Sequence, residues 1–364
     1  MRIADRVKQV DVSGIREAFE LARKMKDPVN LSIGQPDFDV PSEVKEAAIR
    51  AIRDGHNRYT LTQGIDELKA EIRRRLEGEK GYSPEEVMVT SGAAGGIALA
   101  FLVLLNPGDR VLIPDPYFVI YKHLCRLVHA EPVCVDTYPD FLVTPRRLER
   151  AMGKGAALVV LNTPNNPTGR ILRGDTLREI ADMAAGAGAQ ILSDEVYDFF
   201  AYDSPHESMG AVSGDALVVG GFSKSFGMPG WRVGYAAGPG QVLAEMAKIQ
   251  QYSFICAPAP LQHGVVRAYR LQMSATLDAY RRKRDLVCKG LAERYRFVCP
   301  EGAFYLFPEA PGGSGTEFAR AAVEKNLIIV PGSVFSERDT HFRLSFAAPD
   351  ETLRRGVEIL NEMA

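Results

Sequence analysis

A lysine that leaves an apolar run and enters a loop bounded by glycines is the first residue in this chain with chemistry to offer. Ala216-Leu-Val-Val-Gly220 reads as a strand, and Gly221-Phe-Ser223-Lys224-Ser225-Phe-Gly-Met-Pro-Gly-Trp231-Arg232-Val-Gly-Tyr235 follows it. Lysine avoids burial unless paired, and desolvation lowers its pKa enough to make it a nucleophile for Schiff-base formation. The plainer alternative is a solvated loop lysine. A phosphate loop is excluded, because G-x-x-x-x-G-K-[ST] does not occur.

Other chemistry-bearing residues also follow apolar runs. Ser193-Asp194-Glu195-Val-Tyr197 ends a run with an acid, which is costly in a buried setting unless it caps a helix or faces a cation. Asn162-Thr-Pro-Asn-Asn-Pro-Thr-Gly169 is a turn by its Pro and Asn content, and its adjacent amides can hydrogen-bond a polar ligand. Ser91-Gly92-Ala93-Ala94-Gly95-Gly96 opens a helix with residues small enough for backbone N–H groups to approach an anion, or for tight helix–sheet packing. Pro114-Asp-Pro-Tyr-Phe118 supplies aromatics that can lie on a planar ring or fill a core. A reactive lysine, an acid for a ring nitrogen, a stacking aromatic and an anion-binding helix start together describe a pyridoxal phosphate site.

The elements that must position these residues are short aliphatic runs alternating with helical patterns. Glu86–Thr90, Arg110–Ile113, Ala157–Leu161, Gln190–Ser193 and Ala216–Gly220 read as strands, several of them apolar enough to be buried on both faces. Helical stretches such as Leu177–Met183 lie between them, so the pattern predicts an α/β fold with a mostly parallel sheet and helices on both faces. Ligands in such sheets gather beyond the carboxyl ends of the strands, where all of these residues fall. The pattern fills residues 40–262. Residues 263–295 read as one long polar helix, whose Tyr280-Arg-Arg-Lys-Arg284 is a solvated face rather than a nucleic-acid patch. Gly302–Phe307, Leu327–Val330, Phe342–Phe346 and a closing helix from Pro349 make residues 263–364 a smaller α+β domain, with the 1–39 arm joined to it.

Composition narrows the function classes. The 364 residues suggest two or three domains at roughly 150 residues each. Lys plus Arg is 44 against 46 for Asp plus Glu, a net charge of −2 that leaves no electrostatic footprint for nucleic acid or an anionic membrane. Five cysteines form no C-x-x-C pair, which points to reduced thiols in a cytoplasmic protein. The N-terminal residues lack a signal-peptide core, and the longest apolar run, Ile97–Leu105, is far short of the about 20 residues that cross a bilayer. No metal-ligand spacing is present in the sequence.

Taken in order from Gly34-Gln-Pro-Asp to Phe342-Arg343-Leu-Ser345, these motifs resemble the class I aminotransferases of the aspartate-aminotransferase fold, fold type I among pyridoxal phosphate enzymes. Asn166 precedes Asp194 by 28 residues and Lys224 precedes Arg232 by 8, spacings that support the resemblance. It implies that Lys224 holds the cofactor and shuttles the substrate proton, and that Asp194 pairs with the ring nitrogen. It implies further that Asn166 and Tyr197 donate to the phenolic oxygen and that Phe118 stacks on the ring. Gly92, Ala93 and Ala94, with Ser223 and Arg232, then hold the phosphate, while Arg343, near Gly34 and Asn166, clamps the substrate α-carboxylate. Tyr59 matches a tyrosine that reaches the phosphate of a neighbouring subunit, which implies a homodimer with shared active sites. The reaction implied is ping-pong amino transfer from an L-amino acid, aspartate or an aromatic one, to a 2-oxo acid such as 2-oxoglutarate. A β-lyase on the same fold is the alternative, and a ligand-sensing regulator is a more distant one. Two departures stand out. Gly221 occupies a position where many relatives carry a phosphate-binding serine, leaving Ser223 or Ser225 to compensate, and the cup Ala93-Ala94-Gly95-Gly96 is bare of polar side chains.

Overall fold

The structure, a computed structural model, describes residues 2–364 except the side chain of Phe19. Among the described residues the strands are β1 (Val29–Asn30), β2 (Glu86–Thr90), β3 (Arg110–Asp115), β4 (Glu131–Asp136), β5 (Leu158–Asn162), β6 (Gln190–Asp194), β7 (Leu217–Gly221), β8 (Gly234–Gly238), β9 (Tyr305–Leu306), β10 (Leu327–Ile328), β11 (Val330–Pro331) and β12 (Phe342–Ser345). Seven of these form one sheet in the order β2-β8-β7-β6-β5-β3-β4. All its pairings are parallel except those of β8, which runs antiparallel to both β2 and β7.

The five sequence-read strands are all in this sheet, and β4 and β8 were not among them. Their composition explains why. β8 reads Gly-Tyr-Ala-Ala-Gly, with little of the β-branched character that marks a strand, and β4 opens Glu-Pro, which an edge strand tolerates. Register then decides what meets what. Gly234, at the start of β8, pairs with Thr90 at the end of β2 and with Gly221 at the end of β7. Asn162 pairs with Asp194, and Asp194 with Val219. The last residues of four strands and the first of β8 thus share one edge of the sheet.

Helix Gly92–Leu104 leaves β2 and lies on the sheet, buried at Ile97, Leu99, Ala100 and Phe101 on several sides. Its close seat depends on Gly96, where an added Cβ would stand 3.3 Å from Val219. On the opposite face, Val44, Leu68, Ile72 and Val89 share a cluster with Phe222, Tyr235 and Val265.

The single helix expected over 263–295 is two, Ala259–Ala268 and Ser274–Leu291. Between them Tyr269, Leu271 and Met273 pack on the cluster around Phe222. The chain breaks there in a turn, with the Arg270 amide donating to the Arg267 carbonyl at 3.1 Å and the Leu271 amide to the Ala268 carbonyl at 3.0 Å. The first helix places Val265 and Ala268 in the same cluster as Val44 and Leu68, on the main sheet. The second packs Tyr280, Val287 and Leu291 with Phe304, Phe342 and Leu353 of the C-terminal part. There β12 lies between β11 and β9, and β10 pairs with β1, so the chain's early segment is stitched to its late one. No helix among the described residues is long and apolar enough to cross a membrane.

Candidate active site

A cavity of about 540 Å³ opens where the sheet edge meets the C-terminal strands and the N-terminal segment. Lys224 projects into it from the loop after β7. Its Nζ donates to the carbonyl of Gly34 at 2.6 Å and lies 5.8 Å from the centre of the Tyr197 ring. Burial, then the charges of Arg343 and Arg232, pull its pKa down to about 8, against the opposing pull of Asp194. Asp194, at the end of β6, accepts the Tyr121 hydroxyl at 2.6 Å and the Val196 amide at 3.2 Å. Burial still wins and pushes its carboxyl up to about 6.

The Asn162–Gly169 turn is locked by its own amides. Asn162 Nδ2 donates to the Asp194 carbonyl at 3.0 Å, and its Oδ1 accepts the Asn166 amide at 2.8 Å. Asn166 Oδ1 in turn accepts Arg343 Nη1 at 3.0 Å. Arg343 reaches the cavity from β12, buried between the rings of Tyr305 and Phe335, with Nη2 on the Ser32 carbonyl at 2.7 Å. Its Nε is buried with no partner, so this guanidinium retains an unused donor.

The antiparallel turn into β8 brings Arg232 to the start of helix Gly92–Leu104. Arg232 adopts φ +54°, and its Nη2 is 3.4 Å from the Ser91 carbonyl. A Cβ at Gly92 would stand 2.4 Å from that same nitrogen, so glycine leaves the space the guanidinium occupies. Ser91 provides no side-chain cap, which leaves the first amides of the helix free to donate outward.

Of the sequence-read residues, Gly34, Ala93, Ala94, Phe118, Asn166, Asp194, Tyr197, Ser223, Lys224, Arg232 and Arg343 all line this cavity, and Gly92 backs Arg232 beside it. Ser225 is buried and does not line the cavity, whereas Ser223 does. Tyr59 is 79% exposed and does not line the cavity of its own chain. Sequence reasoning missed Tyr121, Asn162, Tyr305, Ser32 and the arm residues Ile15 and Arg16. Tyr121 is three residues past Phe118 on a helix start, a spacing that would have placed it on the same side. Tyr305, whose hydroxyl is 2.7 Å from that of Tyr197, carried no such signal.

These residues fit pyridoxal phosphate on their own chemistry. A helix N-terminus with a guanidinium beside it suits a phosphate, an acid stands ready for a ring nitrogen, and a buried lysine of lowered pKa faces them. Comparison with known proteins agrees. A family model described as "Aminotransferase class I and II" matches residues 26–360. The chain belongs to this family.

The aminotransferase is 35% identical over 374 residues to a protein from Methanocaldococcus jannaschii named probable aspartate aminotransferase, covering 99% of each chain. It is 34% identical over 382 residues to the aromatic-amino-acid aminotransferase 2 of Thermococcus litoralis, covering 100% of this chain and 98% of that one. The solved aspartate aminotransferase of Thermus thermophilus with maleate superposes at a TM-score of 0.95, with 34% identity over 100% of both chains. This protein is therefore a pyridoxal phosphate-dependent transaminase with the fold type I architecture. The lyase alternative draws no support from these relatives.

Proposed function

We propose that the aminotransferase takes a dicarboxylic amino donor, aspartate first, and passes its amino group to a dicarboxylic 2-oxo acid such as 2-oxoglutarate. The observation that carries this reading is Arg16. Three cations already have work in the cavity: Lys224, Arg232 and Arg343. Arg16, on the N-terminal helix Gly14–Ala22, is a fourth at the cavity wall, and among the described residues its polar side-chain contact is to Glu20 at 3.5 Å. A guanidinium there suits the far carboxylate of a substrate whose near carboxylate sits on Arg343. An aromatic donor is the second reading, favoured by Ile15, Ile33 and Val119 in the same wall.

The residue roles in this reading are those the resemblance implies, supported by the shared cavity. Lys224 would hold the cofactor through its amine, with Asp194 at the ring nitrogen, Phe118 against the ring face, and Asn166 and Tyr197 at the phenolic oxygen. Gly92, Ala93, Ala94, Ser223 and Arg232 would hold the phosphate, and Arg343 the α-carboxylate beside Gly34 and Asn166. When bound, pyridoxal phosphate supplies an electron sink for the charge left at the amino-acid Cα. Lys224 Nζ takes the Cα proton, and its lowered pKa suits a base working near neutrality. Asp194, ionised against a cation, keeps the ring nitrogen protonated. Arg343 fixes the α-carboxylate so that the Cα–H bond faces Lys224.

The active unit in this reading is a homodimer in which Tyr59 of each subunit serves the other's phosphate site. Its support is the exposure of Tyr59 on a segment that does not reach its own cavity. Cytoplasmic placement belongs to the same proposal, supported by five cysteines that are all unpaired.

The test is a donor panel on the cofactor-loaded enzyme, followed by absorbance and repeated with Arg16→Ala. The expected result is that aspartate converts the cofactor fastest. The substitution should raise its KM at least 10-fold, the scale of one charge-assisted hydrogen bond, and leave alanine and phenylalanine unchanged. An equal rise for all three donors would remove Arg16 from substrate recognition. Phenylalanine outpacing aspartate in the unaltered enzyme would favour the aromatic reading.

A further inference from the structure

Two sulfurs meet well away from the transaminase cavity. Cys288 is in the last turn of helix Ser274–Leu291, and Cys299 lies on the segment that leads into β9. Their Sγ atoms are 3.4 Å apart. Cys299 is exposed and Cys288 half-buried, so an external reagent meets Cys299 first. Water can solvate a thiolate on exposed Cys299, while half-burial disfavours a charge on Cys288. The Cys288 contact accordingly holds the Cys299 thiol down at about 7. The Cys299 contact and then burial push Cys288 up.

The approach is built rather than incidental. Arg284, one helical turn before Cys288, donates to the Pro300 carbonyl at 3.5 Å and so holds the residue after Cys299 to the same helix. Glu301 and Gly302 both donate backbone N–H groups to the Gly169 carbonyl at 2.9 Å, and Tyr202 donates to the Glu301 carbonyl at 3.0 Å. The chain is therefore fixed over the three residues that directly follow Cys299. Closing the sulfurs from 3.4 Å to a bond of about 2.0 Å leaves a gap of little more than an ångström between the two side-chain ends. Neither cysteine lines the cavity.

We propose that Cys288 and Cys299 are a redox modification site: a low-molecular-weight disulfide such as oxidised glutathione closes them to an intramolecular disulfide, which free thiol reopens. Cys299 thiolate attacks one sulfur of the reagent, forming a mixed disulfide and releasing one thiolate. Cys288 then loses its proton and attacks the Cys299 sulfur, displacing the second thiolate. The two cysteines give up two electrons and two protons, and the reagent leaves as two thiols.

The test uses the cofactor-loaded enzyme treated with oxidised glutathione, then denatured for thiol counting and peptide mass spectrometry. The titratable thiols should fall from five to three. The peptides holding Cys288 and Cys299 should be joined with the loss of two hydrogens, and dithiothreitol should restore all five thiols. Cys288→Ser should stop the reaction at a stable glutathione adduct on Cys299, with transaminase turnover unchanged in the untreated variant. Retention of all five thiols, a wild-type reaction that halts at the adduct, or a bridge between Cys125 and Cys134 would each overturn the proposal.

Discussion

Asp194 and Glu195 are adjacent, both buried, and pushed in opposite directions. Burial raises Asp194 to about 6, because one hydroxyl and one amide only partly offset it. Burial also opposes the charge on Glu195, yet Lys80 at 3.2 Å and His206 at 3.0 Å outweigh it and hold that carboxyl at about 2. Successive strand residues face opposite sides, so one acid turns to the cavity and the other to a closed ion cluster. Glu195 is already neutralised there; Asp194 still has charge to gain from a ligand cation. Lys224 shows the same logic in reverse, since burial and two guanidinium groups favour its neutral amine. Uptake of pyridoxal phosphate by the cofactor-free protein, followed by absorbance, should therefore speed up with pH and level off above about 8. At about pH 7 the neutral fraction is roughly 300-fold that of a lysine at the ordinary 10.5. A rate still climbing beyond about pH 10 would mean a solvated Lys224 and a different nucleophile.

At the scale of elements, β8 does the most to build the site. A parallel strand in its place would deliver Arg232 to the far edge of the sheet. Running antiparallel, it returns the chain so that Arg232 precedes Gly234 at the edge where β2 and β7 end. Contact is close: a Cβ at Gly234 would lie 2.5 Å from the Ala93 amide nitrogen and from the Gly92 carbonyl carbon. Gly234→Ala should push the start of helix Gly92–Leu104 off the strand, at a cost of about 1–3 kcal/mol for overpacking. We expect cofactor affinity, measured by fluorescence titration, to weaken at least 10-fold, the equivalent of about 1.4 kcal/mol. Gly230→Ala is the control, because its Cβ meets nothing within 4 Å. Equal affinities in the two variants would separate Gly234 from the phosphate cradle. The sequence concealed β8 because small residues suit this close approach and carry no strand signal. The break at 269–273 is a turn without Gly or Pro, so the sequence carries no break signal there and polar helical residues on both sides masked it.

At the scale of the whole molecule, three large side chains stand exposed near one another in the fold. Tyr59, Leu61 and Tyr252 are 79%, 67% and 91% exposed. Gln250 Nε2 donates to the Thr62 carbonyl at 2.6 Å, and Gln262 Nε2 contacts Thr60 Oγ1 at 3.4 Å, which ties the Tyr59–Leu61 segment to the helices around Tyr252. On the proposed dimer, size-exclusion with light scattering should give twice the 39.9 kDa chain mass. Tyr252→Arg combined with Leu61→Arg should give monomers that lose cofactor. Tyr59→Phe should stay dimeric and weaken cofactor binding alone. A monomer with full activity would contradict shared sites.

Residue types and local spacing pointed to a pyridoxal phosphate site, and the resemblance carried by the ordered motifs implied the reaction class. Lys224, Asp194 and Asn166 are polar groups at or just beyond the ends of apolar runs, and burying such groups needs partners or a ligand wherever the runs pack. The parallel strands inside the sheet were equally legible, because strands covered on both faces must be aliphatic throughout, whereas the parallel edge strand β4 was not. Tertiary structure decided the rest. Arg343 meets Asn166 across 177 residues and Ser32 across 311, separations over which no local pattern carries information. Tyr121 on Asp194, Tyr305 on Tyr197, and Arg16 at the cavity wall depend on the same long-range packing. Sequence periodicity reports which face of an element is buried; what lies against that face follows only from strand order, register and the antiparallel turn of β8.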